Sequence, residues 1–267
     1  MPRHDPASHQ PKPTGVPGFL QPWLARPRPV HIIFLAQIVN RMGDFALPLL
    51  TLYLTRKMGL DSTLTGLLVM AAALSALAGN LIAGKLADHL GRKPVLMVCQ
   101  LIAAGLIGWC GFLPPGLLVP FLLITAGLFQ GAVRPSISAM IIDLTTPDNR
   151  KTAFSLSYLG INIGVAIGPM FVGFLFESHL PWIFWIDALS TIGAFTLVAI
   201  LVPETHPDRQ ATPTPDGMHG EARHEGPAIG AFLRRPELLM FSLILLVTNF
   251  MYAQTHFGLA LWNNEGF

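Results

Sequence analysis

The chain has 267 residues, of which 52% are hydrophobic and only 12% charged, with a formal net charge of +2. Soluble domains carry about 25% charged residues, and a mean hydropathy of +0.53 lies far from their range. The composition therefore excludes an ordinary soluble domain and points to a polytopic membrane protein, in which the location of charge matters more than its sum.

Residues 1–30 are polar and studded with proline, from Pro2 to Pro29. Such a segment buries too little apolar surface to fold and reads as a disordered tail. It lacks the short basic start followed directly by an apolar stretch that marks a cleavable signal. Seven apolar runs come next: His31–Leu54, Leu64–Leu86, Pro94–Leu113, Leu117–Leu144, Phe154–Phe176, Trp182–Val202 and Leu238–Trp262. Each is close to the roughly 20 residues a helix needs to cross a bilayer. The runs are too long and unbroken for barrel strands, so an all-α membrane protein is expected. Cys99 and Cys110 share one apolar run, so a disulfide framework is not expected.

Lys and Arg set the orientation. Arg3, Lys12, Arg26 and Arg28 precede the first run, and Lys85, Arg92 and Lys93 follow the second. Arg150 and Lys151 follow the fourth, and Arg209, Arg223, Arg234 and Arg235 follow the sixth. Only Arg56 and Lys57 fall in loops on the opposite side. The N-terminus is therefore expected in the cytoplasm of a multi-pass protein of the plasma (inner) membrane. Residues 31–202 read as a six-helix bundle of two three-helix groups. Residues 203–236 read as a cytoplasmic linker rich in Pro, Gly, His and charge. Residues 237–267 read as the first helix of an incomplete second bundle, as if the chain were truncated.

The loop after the second run holds Gly84-Lys-Leu-Ala-Asp88-His-Leu-Gly91-Arg92-Lys93-Pro-Val95. Gly84 suits close helix approach, and Gly91 suits a sharp turn at positive φ. Asp88 lies beside Arg92 and Lys93, where partial desolvation strengthens opposite-charge pairing. In the fifth run Gly160, Gly164 and Gly168 share one helix face, followed by Pro169 and Gly173. Pro169 frees a carbonyl and favours a kink.

The loop resembles the signature loop of the major facilitator superfamily, departing from it at His89. Gly160–Gly173 resembles that family's antiporter motif, with Val172 in place of one glycine. The resemblance implies a twelve-helix transporter bundle of which this chain holds the first half and the start of the second. It further implies a gate in which Asp88 docks against the other half, and a charge relay of Asp88, Arg92 and Asp143. Asp143 has an alternative, pairing with Arg150 or Lys151.

Arg41, Asp44 and Arg134 fall deep inside apolar runs, where charge is costly and usually faces a cavity or a partner. Arg41 and Arg134 lie at a depth of roughly 14 Å from the cytoplasmic face, and their runs each open a three-helix group, as inverted repeats around a midplane site would have it. All three are candidates for substrate or proton coupling, with an internal Asp44–Arg salt bridge as the alternative. Gln130-Gly131 resembles part of the family's proton-linked motif, but its Arg position holds Gly127, and Arg134 stands further along. Asn249, Tyr252, Gln254, Thr255 and His256 in the seventh run read as a cavity wall. Trp182, Trp185 and Trp262 read as an interfacial belt.

No metal-ligand cluster, nucleophile triad or phosphate loop is present, so neither an enzyme nor a cofactor, metal or nucleic-acid partner is expected. The expected function is proton-coupled efflux of a small solute by alternating access. The expected partners are the bilayer, the solute, protons and the missing half-bundle. The alternative is a non-transporting remnant or sensor acting through a partner.

Overall fold

An apolar solvent offers no partners for backbone amides, so a helix that satisfies its own is the natural spanning element. The structure, a computed structural model, describes residues 28–47, 49–204 and 236–262, and every element in them is helical. The side chains of residues 169, 172–174, 177, 249, 250 and 252–262 are outside the description, as are the tail, most of the linker and the last five residues.

Helix α1 covers Arg28–Gly43, and the short α2, Leu50–Leu52, continues into a π-helical turn at Tyr53–Lys57. Then come α3 (Ser62–Leu90), α4 (Arg92–Cys110), α5 (Leu118–Gln130), α6 (Val133–Asp143), α7 (Pro147–Ser178), α8 (Leu180–Leu201) and α9 (Pro236–Trp262). Among the described residues, four stretches are long and apolar enough to cross a membrane: α3, α4, Leu118–Asp143 and α8.

The chain forms two compact units. One comprises Met1–Pro48 and Met70–Pro207, the other Leu49–Val69 and Asp208–Phe267. In the first unit α1 packs against α7 and α8, and α4 packs against α5, α6 and α8. Its core is built from Ile33, Leu96, Ile137, Met140, Leu156, Phe195 and Val198, with their neighbours. In the second unit α2 touches α9.

Two expected spans are interrupted. The first run is not one helix to Leu54, because α1 stops at Gly43. The chain is irregular from Asp44, and Pro48 has no amide to offer the Asp44 carbonyl. The fourth run breaks between α5 and α6 at Gly131–Ala132. Pro135 lacks the amide that would reach the Gly131 carbonyl, which accounts for that position. Gln100 on α4 donates to the Phe129 carbonyl at the break, at 3.2 Å. The fifth run is longer than expected, since α7 starts at Pro147, and proline is well suited to the first helical turn.

The break at Gly131 is also a crossing point. A Cβ on Gly131 would lie 2.7 Å from the Asn80 nitrogen, and one on Gly79 would overlap the Leu128 carbonyl. Small residues thus let the backbone of α3 touch that of α5 and of the turn that follows it. Ser75 adds a hydrogen bond to the Ile124 carbonyl at 2.7 Å. The close approach expected at Gly84 is not found, because a Cβ there meets nothing among the described residues. Elsewhere α3 turns Leu74, Leu77 and Leu81 outward. Only 17% of its apolar window is buried, so lipid or further helices must cover the remainder.

Gly131→Ala is expected to lower stability by roughly 1–3 kcal/mol through overpacking. Gly84→Ala should stay within about 0.5 kcal/mol of the parent. Thermal unfolding of both variants in detergent checks the contrast, and equal losses would contradict the assigned crossing.

Candidate functional site

Helices α1, α6 and α7 enclose a cavity of about 540 Å³, within the usual range of small-molecule sites. Its wall is mostly aliphatic, with Val133, Ile137, Ile141, Ile161 and Val165, plus Phe154. Polarity comes from Gln37, Arg41, Arg134, Ser138, Ser157 and Tyr158. The Gln37 amide donates to the Ser157 hydroxyl, tying α1 to α7 inside the bundle.

The two membrane-depth arginines of the sequence therefore line one cavity, but their states differ. Arg41 is bound to Asp44, one turn on, in an ion pair that leaves both side chains partly covered. Arg134 is exposed on the cavity and has no hydrogen-bonding or ionic partner among the described residues. The internal salt bridge considered for Asp44 is thus made, and Arg41 is the partner. Asp44 itself is not among the lining residues.

What holds Arg41 in place is a glycine face. A Cβ on Gly164 would sit 2.5 Å from the Arg41 Cβ and 2.8 Å from the Ile38 carbonyl. One on Gly160 would lie 2.9 Å from the Phe34 carbonyl, and one on Gly168 3.3 Å from the Met42 carbonyl. The stripe Gly160, Gly164, Gly168 is therefore the groove in which α1 lies. Pro169 and Gly173 belong to the same sequence motif but fall outside the described side chains.

Past Gly43, the amides of Phe45 and Ala46 have lost their helical acceptors. The Asp187 Oδ2 on α8 accepts both, at 3.1 Å and 2.9 Å. Asn40 donates to Thr191, one turn further along α8, at 3.2 Å. Asp187 is completely buried, and sequence reasoning missed it. The signal was there to use: it is the single charged residue of α8, inside an apolar run where charge normally has a purpose.

At the other end of the bundle, Gly91 takes φ 99° and turns α3 into α4, as its sequence position suggests. Arg92 pairs with Asp143 and also donates to the Ala139 carbonyl at 2.8 Å. Lys93 donates to the Val202 carbonyl at 2.7 Å, so an ammonium caps the C-terminus of α8. Asp88 stays exposed and makes no ion pair with Arg92 among the described residues. Of the proposed relay of Asp88, Arg92 and Asp143, the last two meet and the first stands apart. Asp143 takes Arg92 in preference to Arg150 or Lys151.

Asn249, Tyr252, Gln254, Thr255 and His256 belong to α9, and their side chains lie outside the described residues. Trp185 makes an aromatic contact. It packs against Phe112, with ring centroids 5.4 Å apart, and its indole nitrogen presses on Gly111. A second groove, of about 580 Å³, runs between α4 and α8 beside Trp109 and Trp185. It has no charged lining residue to orient a solute, so the cavity at Arg134 is the better site.

Residues 33–267 match the family model of the Major Facilitator Superfamily. The MFS-type transporter YqjV of Bacillus subtilis is 28% identical over 182 residues, covering 67% of this chain and 44% of that protein. Multidrug resistance protein 1 of the same organism is 29% identical over 156 residues, covering 57% of this chain and 39% of its own length. A crystal structure of a peptide transporter POT in complex with sulfate superimposes with a TM-score of 0.58 at 23% identity. That match covers 65% of this chain and 37% of the transporter. The chain thus spans less than half the length of these relatives. With a signature loop turned by Gly91, a glycine-lined helix pair and a family match over most of its residues, this chain belongs to the Major Facilitator Superfamily of membrane transporters.

Proposed function

We propose that this chain forms one helical bundle of a proton-coupled exporter, whose solute is small, largely apolar and carries one negatively charged group. The observation that carries this reading is the guanidinium of Arg134, unpaired among the described residues, on a mostly aliphatic cavity. An arginine does not deprotonate at working pH, and its fork of donors suits a carboxylate or phosphate. A charge kept at that depth without a partner is matched by one that arrives with the solute. The aliphatic wall takes the apolar body, while Gln37 and Tyr158 offer further hydrogen-bonding groups.

Asp44, paired with Arg41, is the proton-responsive member of the set. A proton on Asp44 removes its charge and releases Arg41 from its ion pair. Three supports favour export in exchange for protons: the glycine stripe on α7, its resemblance to the antiporter motif, and the similarity to Multidrug resistance protein 1. A second reading rests on the Arg41–Asp44 pair itself. If the freed Arg41 also holds the anion, proton and solute bind together and move in the same direction. The polarity of the pH gradient that drives transport separates the two.

Alternating access needs a second bundle to rock against the first. In this reading that bundle is the remainder of a protein about twice this length. The exposed Asp88 is its docking point on the gate, and the Arg92–Asp143 pair and the Lys93 cap hold the gate's base rigid. The N-terminus and the loop at Gly84–Val95 face the cytoplasm, and the protein resides in the plasma (inner) membrane.

Three outcomes are expected. Arg134→Ala should weaken binding of anionic amphiphiles by roughly ten- to a hundredfold, the worth of a charged hydrogen bond, and leave neutral analogues unchanged. Direct binding to the purified protein checks this, and equal losses for both solute classes would refute the anion assignment. Asp88→Ala should abolish pH-gradient-driven efflux from vesicles carrying the intact protein, and efflux that survives it removes the gate. Arg92→Ala and Asp143→Ala should each destabilise the bundle and show a coupling of roughly 0.5–3 kcal/mol in a double-mutant cycle; simple additivity would mean that the pair contributes nothing.

A further inference from the structure

Asp187 faces the break in the first span, not the cavity, and three features make it more than a structural cap. It is completely buried. Both of its hydrogen bonds, from the Phe45 and Ala46 amides, go to Oδ2. Its other oxygen, Oδ1, is buried with no hydrogen-bond donor among the described residues. The groups nearby are already engaged. The Ser190 hydroxyl donates to the Asp187 backbone carbonyl at 2.9 Å, and Thr191 accepts from Asn40. The titratable and charged side chains whose fields meet it are Arg41 on α1, Asp44 just past its end and the Cys110 thiol on α4.

We propose that Asp187 is a proton-binding site at the break in the first span, taking a proton on Oδ1 and exchanging it with Asp44. The geometry permits this without rearranging the backbone. A proton on Oδ1 leaves both amide bonds on Oδ2 in place, so the break stays capped whether the group is charged or neutral. Charge balance points the same way. One arginine, two aspartates and one proton sum to zero, and a neutral cluster is the form an apolar interior accepts most readily. In the exchange, the O–H bond at Asp187 Oδ1 breaks as a new one forms at an Asp44 carboxylate oxygen. The negative charge moves to Asp187, and Arg41 is released from Asp44 toward the cavity. The inference rests on the proton-coupled reading above and adds to it the residue that stores the proton.

Infrared difference spectroscopy across a pH titration tests the site in the intact protein in lipid nanodiscs. Wild type should show a titrating protonated-carboxyl band that Asp187→Asn removes. The asparagine keeps a carbonyl acceptor for the two amides, so the break can stay capped. Asp44→Asn should retain the band but move its midpoint by about one pH unit or more. A band unchanged by Asp187→Asn, or no titrating band in wild type, overturns the proposal; a midpoint unmoved by Asp44→Asn overturns the exchange. Transport is the separate arm. Wild-type transport indifferent to the pH gradient sinks the coupling reading, while the spectra still decide whether Asp187 binds a proton. Gradient-driven transport that Asp187→Asn leaves at the wild-type level overturns its part in coupling.

Discussion

A helix that stops at Gly43 within an apolar layer frees the Phe45 and Ala46 amides from their helical acceptors, and the Asp187 carboxylate takes both, with the Gly43 carbonyl as a second acceptor for Phe45. Unsatisfied amides in a membrane cost several kcal/mol each, so the interrupted first span depends on this one side chain from the sixth. Much of the site follows from it. The last turn of α1 is pinned to α8, with Asn40–Thr191 as a second tie. Asp44 falls at the start of the irregular segment, within reach of Arg41.

The opposite side of α1 is held by shape rather than by hydrogen bonds. Gly160, Gly164 and Gly168 remove the side chains that would keep the helices apart, so the α1 backbone lies in a groove on α7. Helix association in lipid gains little from burying apolar surface, because lipid is as apolar as leucine. Close backbone contact, with Gln37–Ser157 as a polar tie, supplies the attraction instead. Arg41 is thereby aimed at the cavity by the helix that the glycine stripe seats.

The signature loop obeys the same logic at the membrane face. Gly91 makes the turn, Arg92 reaches across to Asp143 and the Ala139 carbonyl, and Lys93 caps α8. Two of its cations thus bind α4 to α6 and α8, while Asp88 remains exposed. In the first unit, Arg41, Asp44, Arg92, Lys93, Asp143 and Asp187 each have a definite partner.

The sequence by itself determined the class, the approximate spans and the signature loop. Hydropathy acts through the bilayer over some twenty residues at a time, and the Gly84–Val95 spacing is local. It also singled out Arg41, Asp44, Arg134 and the Gly160–Gly168 stripe, because charge and small residues stand out in an apolar run. Only the tertiary structure decided which charges pair. Asp44 chose Arg41, Asp143 chose Arg92, and Asp88 chose neither, since each outcome turns on side chains brought together by helix packing. Local spacing also left open that Gly84 packs against nothing described while Gly79 and Gly131 mark a backbone crossing, because a glycine's neighbours lie on another helix. Asp187 is the clearest case. Its chemistry is visible in the sixth run, but its partners are amides 142 and 141 residues away, exposed by a break that becomes apparent only when the first span is seen to end early.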